Sequence, residues 1–182
     1  MDHHDHVRLI REGVEGAGMI WADLGSGAGA FTLALADLLG PAGVIHSVDR
    51  DSGALRTQAA SLHRSFPGTI LHQYIADFTH SIGLPALDGV VMANSLHFVR
   101  DKLPVLDLAR RSMRPGGHFV LVEYEADQGN PWVPYPLSFR TWRALATAAG
   151  FEDTKAMARV PSRFLSAIYS ALSLVPVDAP GS

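Results

Sequence analysis

The sequence predicts an α/β protein built on a mostly parallel, doubly wound sheet with helices on both faces. Three observations favour this class. Short apolar runs of strand length alternate with segments whose apolar residues recur at helical spacing. A glycine-rich turn leads from the first of these strands into a helix, and an acidic residue ends the second strand. At 182 residues, 47% of them apolar, the chain fits one domain, which we place at 1–175, with a disordered tail over 176–182.

Helices and strands alternate through the first half of the chain. Phe31, Leu35 and Leu38 share one helical face, and Gly40 ends that helix. We expect, in order, a helix over about 5–13 capped by Asp5, a strand over 19–24, the helix ended by Gly40, a strand over 44–49, a helix over about 53–66, and strands over 69–76 and 87–93.

The second half begins with a helix that Asp101 is placed to cap and that tolerates Pro104 in its first turn. We then expect a turn over 114–117, a strand over 118–123, a loop over 125–136, a helix that Ser138 opens and Gly150 stops, and a terminal hairpin of strands over 151–160 and 164–174. The last segment also fits a helix, because Phe164, Ile168 and Leu172 follow an i, i+4 spacing.

The turn after the first strand predicts a nucleoside site. Residues 22–31 read ADLGSGAGAF, with Gly25, Gly27 and Gly29 in the bend. Glycine is needed where the backbone approaches a ligand with no Cβ in the way, and the helix start offers unpaired N–H groups to an anion. Asp49 ends the second strand, where its carboxylate is placed to accept hydrogen bonds from ribose hydroxyls.

The glycine spacing distinguishes two kinds of nucleoside site. A dinucleotide turn reads G-x-G-x-x-G, whereas these glycines read G-x-G-x-G and Asp23 stands two residues before the first. This pattern resembles motif I of the class I S-adenosylmethionine-dependent methyltransferases. The resemblance implies that Asp23 holds the methionine ammonium of the donor, and that the glycine loop passes close to the carboxypropyl arm.

Other segments extend the resemblance over about 19–160, to the small-molecule branch typified by the ubiquinone and menaquinone methyltransferases. Asp77 matches the acid that meets the adenine amino group, and Asn94 lies where the fourth strand reaches the donor sulfur. The turn over 113–117 and the segment 142–151 also match. The resemblance implies a Rossmann-like sheet of seven strands in which the last is antiparallel.

The resemblance implies a donor site shared among the strand ends. Asp77 also fits a surface cap, and Asn94 and Ser95 also fit caps of the short helix that follows. The residues expected to bind the cofactor S-adenosylmethionine are Asp23, Gly25, Ser26, Gly27, Gly29, Asp49, Arg50, Asp77, Phe78, Asn94 and Ser95.

Three residues are candidates for catalysis. Methyl transfer from an activated sulfonium needs alignment above all, and a general base only when the acceptor carries a proton. His97 is the candidate base because imidazole titrates near neutrality, although a packed or capping histidine is the alternative. Glu123 and Tyr124 end the fifth strand, where we expect them to face the crevice beyond the carboxyl ends of the strands. The alternative is that Glu123 pairs with an arginine such as Arg140.

The loop over 125–136 and the start of the helix after it carry three aromatic residues. Trp132, Tyr135 and Phe139 fit a lid over an apolar acceptor. They equally fit a loop that its aromatic side chains pin to the core.

Composition excludes several classes of function. The absence of cysteine rules out disulfides, thiolate metal sites and cysteine nucleophiles. The net charge of −3 and the lack of a basic stripe beyond the cluster at 110–114 disfavour nucleic acid. An Asn- or Asp-Pro-Pro-Tyr sequence is absent after the fourth strand, which disfavours amide and exocyclic amine acceptors, and Asn94 replaces the aspartate that Mg²⁺-dependent relatives use. We expect no metal.

The sequence thus predicts methyl transfer from S-adenosylmethionine to a small molecule, at oxygen or carbon. The alternatives are a nicotinamide oxidoreductase of similar topology and a non-catalytic S-adenosylmethionine-binding module. No apolar run reaches membrane-spanning length and no leader precedes the first helix, so we expect a cytoplasmic protein. The sequence predicts no particular oligomeric state.

Overall fold

The computed structural model describes residues 1–162, 165 and 167–177 of the chain. The elements in chain order are α1 (His3–Val14), β1 (Ile20–Leu24), α2 (Ala30–Leu39), β2 (Val44–Asp49), α3 (Ser52–Ser65), β3 (Ile70–Ile75), β4 (Leu87–Ala93), α4 (Leu103–Arg111), β5 (Met113–Tyr124), α5 (Phe139–Ala148), β6 (Glu152–Pro161) and β7 (Ala167–Leu174). Helices alternate with strands except between β3 and β4 and between β6 and β7. Short 3₁₀ turns lie at Gly40–Ala42 and Leu96–Phe98.

The seven strands of the described chain form one sheet in the order β3-β2-β1-β4-β5-β7-β6. Neighbours from β3 to β5 are parallel, whereas β7 runs antiparallel to both β5 and β6. This confirms the predicted fold class, including the antiparallel strand near the end of the chain. The strand order reverses between β1 and β4, and in such sheets a crevice opens there beyond the carboxyl ends of the strands.

Helices cover both faces of this sheet. On one face α1 and α2 contribute Ile10 and Leu35, which belong to the same fully buried cluster as Trp21 of β1. On the other face Trp142 of α5 stacks on Phe119 of β5, with ring centroids 5.4 Å apart. The connection from β3 to β4, residues 76–86, carries no helix and covers the sheet as a loop.

Two predicted helix caps are wrong. Asp2 rather than Asp5 caps α1, because its carboxylate accepts a hydrogen bond from the Asp5 N–H at 2.9 Å. At α4 the cap position is Lys102 rather than Asp101, and no side chain bonds the first turn, where Pro104 lies as predicted. At α5 the prediction is confirmed: Ser138 accepts from the Thr141 N–H.

The C-terminal hairpin is formed by strands, as the first of the two alternatives predicted. Pairing with β5 from His118 to Tyr124 settles β7 as a strand, because an interior strand between two neighbours satisfies its backbone on both sides. Phe164 and residues 178–182, on which the helical alternative and most of the predicted tail fall, lie outside the described residues. No helix in the described part of the chain is long and apolar enough to cross a membrane.

Candidate functional site

A cavity of about 300 Å³ opens at the carboxyl ends of the central strands. Most of the residues predicted to bind the donor line this cavity, whereas Asp23, Ser26, Gly27 and Gly29 do not. Its walls are formed by Gly25, Asp49, Arg50, Asp77, Phe78, Thr79, Asn94, Ser95, Phe98 and Val99. Residues from four separate segments thus meet at one site, as parallel strands require.

The three glycines of the loop after β1 all have positive φ, at 80°, 52° and 92° for Gly25, Gly27 and Gly29. A Cβ on Gly25 would lie 2.5 Å from the Ser95 Cβ, and one on Gly29 would lie 2.4 Å from the Gln58 Cγ. Packing within the protein therefore requires these two glycines. Only at Gly27 would a Cβ point into open space, so the expectation of close ligand approach applies there.

Hydrogen bonds hold this glycine loop on the end of β2. The N–H groups of Gly25 and Ser26 both donate to the Val48 carbonyl oxygen, at 2.8 and 3.1 Å, and the Gly27 N–H donates to Asp49 Oδ2 at 2.8 Å. The Gly29 N–H donates to the Ser26 carbonyl oxygen. These four N–H groups are therefore bonded within the protein, and the expectation of unpaired N–H groups at the helix start, which is Ala30, stays a prediction.

The Asp49 carboxylate is oriented by the backbone on both sides. Its Oδ2 accepts from Gly27 and its Oδ1 accepts from the Asp51 N–H, both at 2.8 Å. Each carboxylate oxygen retains acceptor capacity, since it can accept more than one hydrogen bond. Asp49 therefore presents fixed acceptors to the cavity, which suits a pair of ribose hydroxyls.

Across the cavity, Asp77 caps a turn and also lines the cavity wall, while its predicted contact with adenine stays a prediction. Its Oδ1 accepts from the Thr79 N–H at 2.9 Å and from the Thr79 hydroxyl at 2.7 Å, as a turn cap does. These hydrogen bonds hold the pKa of Asp77 below its ordinary value, with a smaller contribution from Arg50, whose Nη1 lies 3.5 Å from Oδ2. Asp77 is thus a cap that also lines the cavity as an anion.

Asn94 and Ser95 end β4 in an unusual way. Asn94 has φ +52°, a conformation that non-glycine residues rarely adopt, and its side-chain oxygen is buried without a hydrogen-bond partner. The Ser95 hydroxyl donates to the Leu24 carbonyl oxygen at 2.7 Å, so it does not cap the following turn. An unpaired buried acceptor on the cavity wall fits a ligand that brings an N–H or O–H group.

Asp23 lies beneath the loop rather than on the cavity wall. It is 1% exposed, and its Oδ2 accepts from the Thr32 hydroxyl at 2.6 Å. Burial raises the pKa of Asp23 to about 7, against the opposing effect of the Thr32 hydrogen bond. No cation pairs with this carboxylate within the described residues, and its predicted contact with the methionine ammonium stays a prediction.

The three catalytic candidates cluster where β4 and β5 end. The fully buried Glu123 carboxylate accepts from the His97 backbone N–H at 3.0 Å and bonds His97 Nδ1 at 2.9 Å. The partner of Glu123 is therefore His97, and the alternative of a pairing with Arg140 is wrong. Tyr124 lies edge-on to the His97 imidazole at 5.7 Å, and its pKa is raised by burial and then by the Glu123 charge.

Three exposed aromatic residues, Phe98, Trp132 and Tyr135, form what we call the aromatic rim; of these, Phe98 lines the cavity and Tyr135 is bonded to the residue before Phe98. Phe98 is 60% exposed and Trp132 75% exposed, and the Tyr135 N–H donates to the His97 carbonyl oxygen. The half-buried Lys102 lies 5.7 Å from the centre of the Tyr135 ring, and burial lowers its pKa.

The loop that carries Trp132 and Tyr135 is anchored mainly by aliphatic residues. Val133 and Leu137 are buried, and of the three predicted lid aromatics only Phe139 packs on the core, edge-on to Tyr169. The alternative of a loop pinned by its aromatic residues is thus correct for Phe139 alone.

Sequence reasoning missed the polar residues that support the loop from below, above all Ser47 and Gln58. Both are fully buried. A signal for Gln58 was present, because it lies three residues after Leu55 and four before Leu62 on the apolar face of α3. Within the described residues no group of three or more potential metal ligands occurs, and the metal-free prediction is not tested by this.

Comparison with known proteins identifies the fold and the family. A family model described as "Methyltransferase domain" matches residues 22–119, which is more than half of the chain. The YcgJ protein from Bacillus subtilis has a similar structure, with a TM-score of 0.76 at 12% identity over 96% of this chain and 99% of that one. No curated protein matches the chain in sequence.

Two other solved structures resemble the fold. A SAM-dependent methyltransferase from Aquifex aeolicus has a TM-score of 0.71 at 18% identity, over 94% of this chain and 89% of that one. The DszA carbon methyltransferase has a TM-score of 0.70 at 18% identity over 91% of this chain. The chain spans about half of the length of that protein, at 49%.

We predict that Asp49→Ala weakens the binding of S-adenosylhomocysteine by about 1.5–3 kcal/mol, or about 10–150-fold, because charge-assisted hydrogen bonds to the ribose are lost. Isothermal titration measures the Kd. Asp51→Ala is the matched control, since Asp51 caps α3 by accepting from Gly53 and Ala54 and does not line the cavity. An unchanged Kd for Asp49→Ala would exclude the ribose contact.

We predict that Asn94→Gly weakens S-adenosylhomocysteine binding by about tenfold without lowering stability. Glycine keeps the left-handed backbone at no steric cost. It removes an amide oxygen that has no partner in the free protein and that a ligand would satisfy, at about 1–2 kcal/mol. Urea unfolding and titration on the same preparation separate the two effects. Wild-type affinity in the variant would show that Asn94 does not contact the donor.

Asp23 makes stability depend on pH. Because its folded pKa, about 7, exceeds the ordinary 3.8, the folded state holds a proton that the unfolded state has lost. Stability contributed by this group therefore falls as pH rises from about 4 to about 7, by a few kcal/mol at most. Asp23→Asn should match wild type near pH 4 and exceed it at pH 8 in urea unfolding. A variant less stable than wild type at pH 8 would contradict this.

Proposed function

Because the chain belongs to the methyltransferase domain family and is an S-adenosylmethionine-dependent methyltransferase, we propose that it methylates a small-molecule acceptor at oxygen or carbon. Family membership disfavours the nicotinamide oxidoreductase and the non-catalytic module considered from the sequence. The observation that carries the proposal is the buried His97–Glu123 pair at the ends of β4 and β5, next to the segment that lines the cavity.

The cavity residues fit the donor part by part. We propose that Asp49 binds the ribose hydroxyls, that Asp77 and Phe78 border the adenine with Arg50, and that the Asn94 oxygen accepts from the methionine end. When bound, the cofactor supplies a methyl group already activated on a sulfonium. The protein must then align the acceptor and exclude water, which accounts for most of the acceleration in such reactions.

The aromatic rim supports an apolar or aromatic acceptor. Phe98, Trp132 and Tyr135 expose large rings, and exposed apolar patches commonly mark a binding site. Phe98 also lines the donor cavity itself, so the rim is continuous with it. A nucleic acid acceptor is disfavoured by the net charge of −3. The cytoplasmic location stays a prediction from the sequence.

The His97–Glu123 pair is arranged to accept a proton. The Glu123 carboxylate accepts a hydrogen bond from His97 Nδ1–H, which leaves Nε2 of the neutral imidazole as the proton acceptor. For a hydroxyl acceptor, the oxygen would bond the methyl carbon as the methyl–sulfur bond breaks, the hydroxyl proton would pass to Nε2, and S-adenosylhomocysteine would leave as the thioether. For an enolisable carbon acceptor, the same nitrogen would accept the proton from carbon, and that carbon would then bond the methyl group as the same methyl–sulfur bond breaks. Glu123 stabilises the imidazolium that results.

We predict that His97→Gln lowers kcat by about 10²–10⁴-fold and leaves S-adenosylhomocysteine affinity nearly unchanged, because a general base acts on the acceptor proton alone. An acceptor is first found by screening phenols, quinones and fatty acids with methyl-labelled donor, and the variant is then assayed on a hydroxyl acceptor, because transfer to a carboxylate needs no base.

His118→Gln is the matched control for this substitution. His118 is also hydrogen-bonded through Nδ1, to the Gly13 carbonyl oxygen, but lies on β5 away from the cavity. Near wild-type turnover by folded His97→Gln would remove His97 from the mechanism and leave Glu123 and Tyr124 to be tested on the same acceptor.

A further inference from the structure

A continuous chain of hydrogen bonds runs beneath the glycine loop and links it to α2, α3 and β1. It starts at the Ser26 hydroxyl on the loop and ends at the Asp23 carboxylate. The links are Ser26 Oγ to Ser47 Oγ at 2.7 Å, Ser47 Oγ to Gln58 Oε1 at 2.7 Å, Gln58 Nε2 to Thr32 Oγ1 at 2.8 Å, and Thr32 Oγ1 to Asp23 Oδ2 at 2.6 Å.

The direction of every proton in this chain follows from its partners. Ser47 has one hydroxyl hydrogen and gives it to Gln58, so Ser26 must donate to Ser47. The Gln58 amide is held in one orientation, because Gln73 Nε2 donates to Gln58 Oε1 at 2.8 Å and to the Leu55 carbonyl oxygen at 2.7 Å. The Gln58 NH₂ group therefore faces Thr32, and the network has one arrangement.

The network is sealed from water but reaches the loop. Ser47, Gln58 and Thr32 are fully buried. A group that lost its partner there would have no water to replace it, so the fully bonded arrangement is strongly favoured over any other. Gln58 also packs directly under Gly29, where a Cβ would meet its side chain at 2.4 Å. The loop thus rests on Gln58 and is bonded to Ser47.

We propose that Ser47 and Gln58 are positioning residues for the methyl donor: they hold the Ser26 hydroxyl, and with it the glycine loop, in the conformation that binds the cofactor. Neither lines the cavity, so neither touches the ligand. The proposal rests on the proposed S-adenosylmethionine site of this chain and concerns donor binding alone, so it does not depend on the acceptor or on His97.

The physical basis is preorganisation. The other hydrogen bonds of the loop to β2 run from its backbone N–H groups to Val48 and Asp49 and fix the course of the backbone. The Ser26–Ser47 bond adds a tie from a loop side chain to the buried network and narrows the conformations of the loop further. Without it, ligand binding must also order the loop, and affinity falls by the cost of that ordering.

The first test compares two buried serines by isothermal titration with S-adenosylhomocysteine. Ser47→Ala is expected to raise the Kd by about tenfold. Ser173→Ala is the matched control, because Ser173 is equally buried and bonds the Thr154 hydroxyl at 2.9 Å in the hairpin of β6 and β7. Both variants lose one buried hydroxyl, so both lose stability in urea unfolding, but Ser173→Ala should bind with wild-type affinity.

The second test is a double-mutant cycle in ligand affinity. If Ser26 acts through Ser47, Ser26→Ala should raise the Kd about as much as Ser47→Ala, and the double variant should bind no more than about twofold weaker than either single variant. If the two hydroxyls acted independently of each other, their increases in Kd would multiply in the double variant, and that result would contradict the proposal.

Wild-type affinity in Ser47→Ala, or an equal loss in Ser173→Ala, would overturn the proposal. If Ser47→Ala does not fold, Ser26→Ala alone decides, since Ser26 lies on the partly exposed loop and a wild-type Kd there is equally contradictory. Because titration needs no turnover, failure here is distinguishable from failure of the proposed acceptor chemistry.

Discussion

The attachment of the glycine loop to the end of β2 is the interaction on which the rest of the site depends. In the parallel register of β1 and β2, Leu24 lies beside Val48, so the chain leaves β1 where Val48 can accept from two successive N–H groups. The same attachment turns the Gly27 N–H onto Asp49 and thereby orients its carboxylate toward the cavity. Loop shape and ligand acceptor are therefore set together.

The other half of the site depends on the end of β4. Ser95 bonds back to Leu24 and packs against Gly25, so the loops after β1 and β4 are mutually fixed. This leaves Asn94 strained and its oxygen unpaired at the cavity, a cost that persists only where the surroundings over-determine the conformation and that is commonly found at functional sites. From there the chain passes directly to His97, which Glu123 of β5 holds from below.

Hydrophobic period predicted the strands, because it is a local signal, whereas most of the cavity wall was predicted by the resemblance to class I methyltransferases. Neither could predict which groups lie inside rather than on the wall. Asp23 and Asp49 both end apolar strands, yet one lies beneath the loop at 1% exposure and the other faces the cavity. The burial of Gln58 has a sequence signal in its place on the apolar face of α3, but its partners, like the pairing of Glu123 with His97, lie far apart in sequence, where no spacing rule exists.

The central claim is that this cavity binds S-adenosylmethionine. The most direct measurement is isothermal titration of the wild-type chain with S-adenosylhomocysteine and, separately, with NAD⁺. One molecule of S-adenosylhomocysteine should bind per chain, with no heat of binding from NAD⁺ at the same concentration. Binding of NAD⁺ alone, or of neither compound to folded protein, would contradict the account.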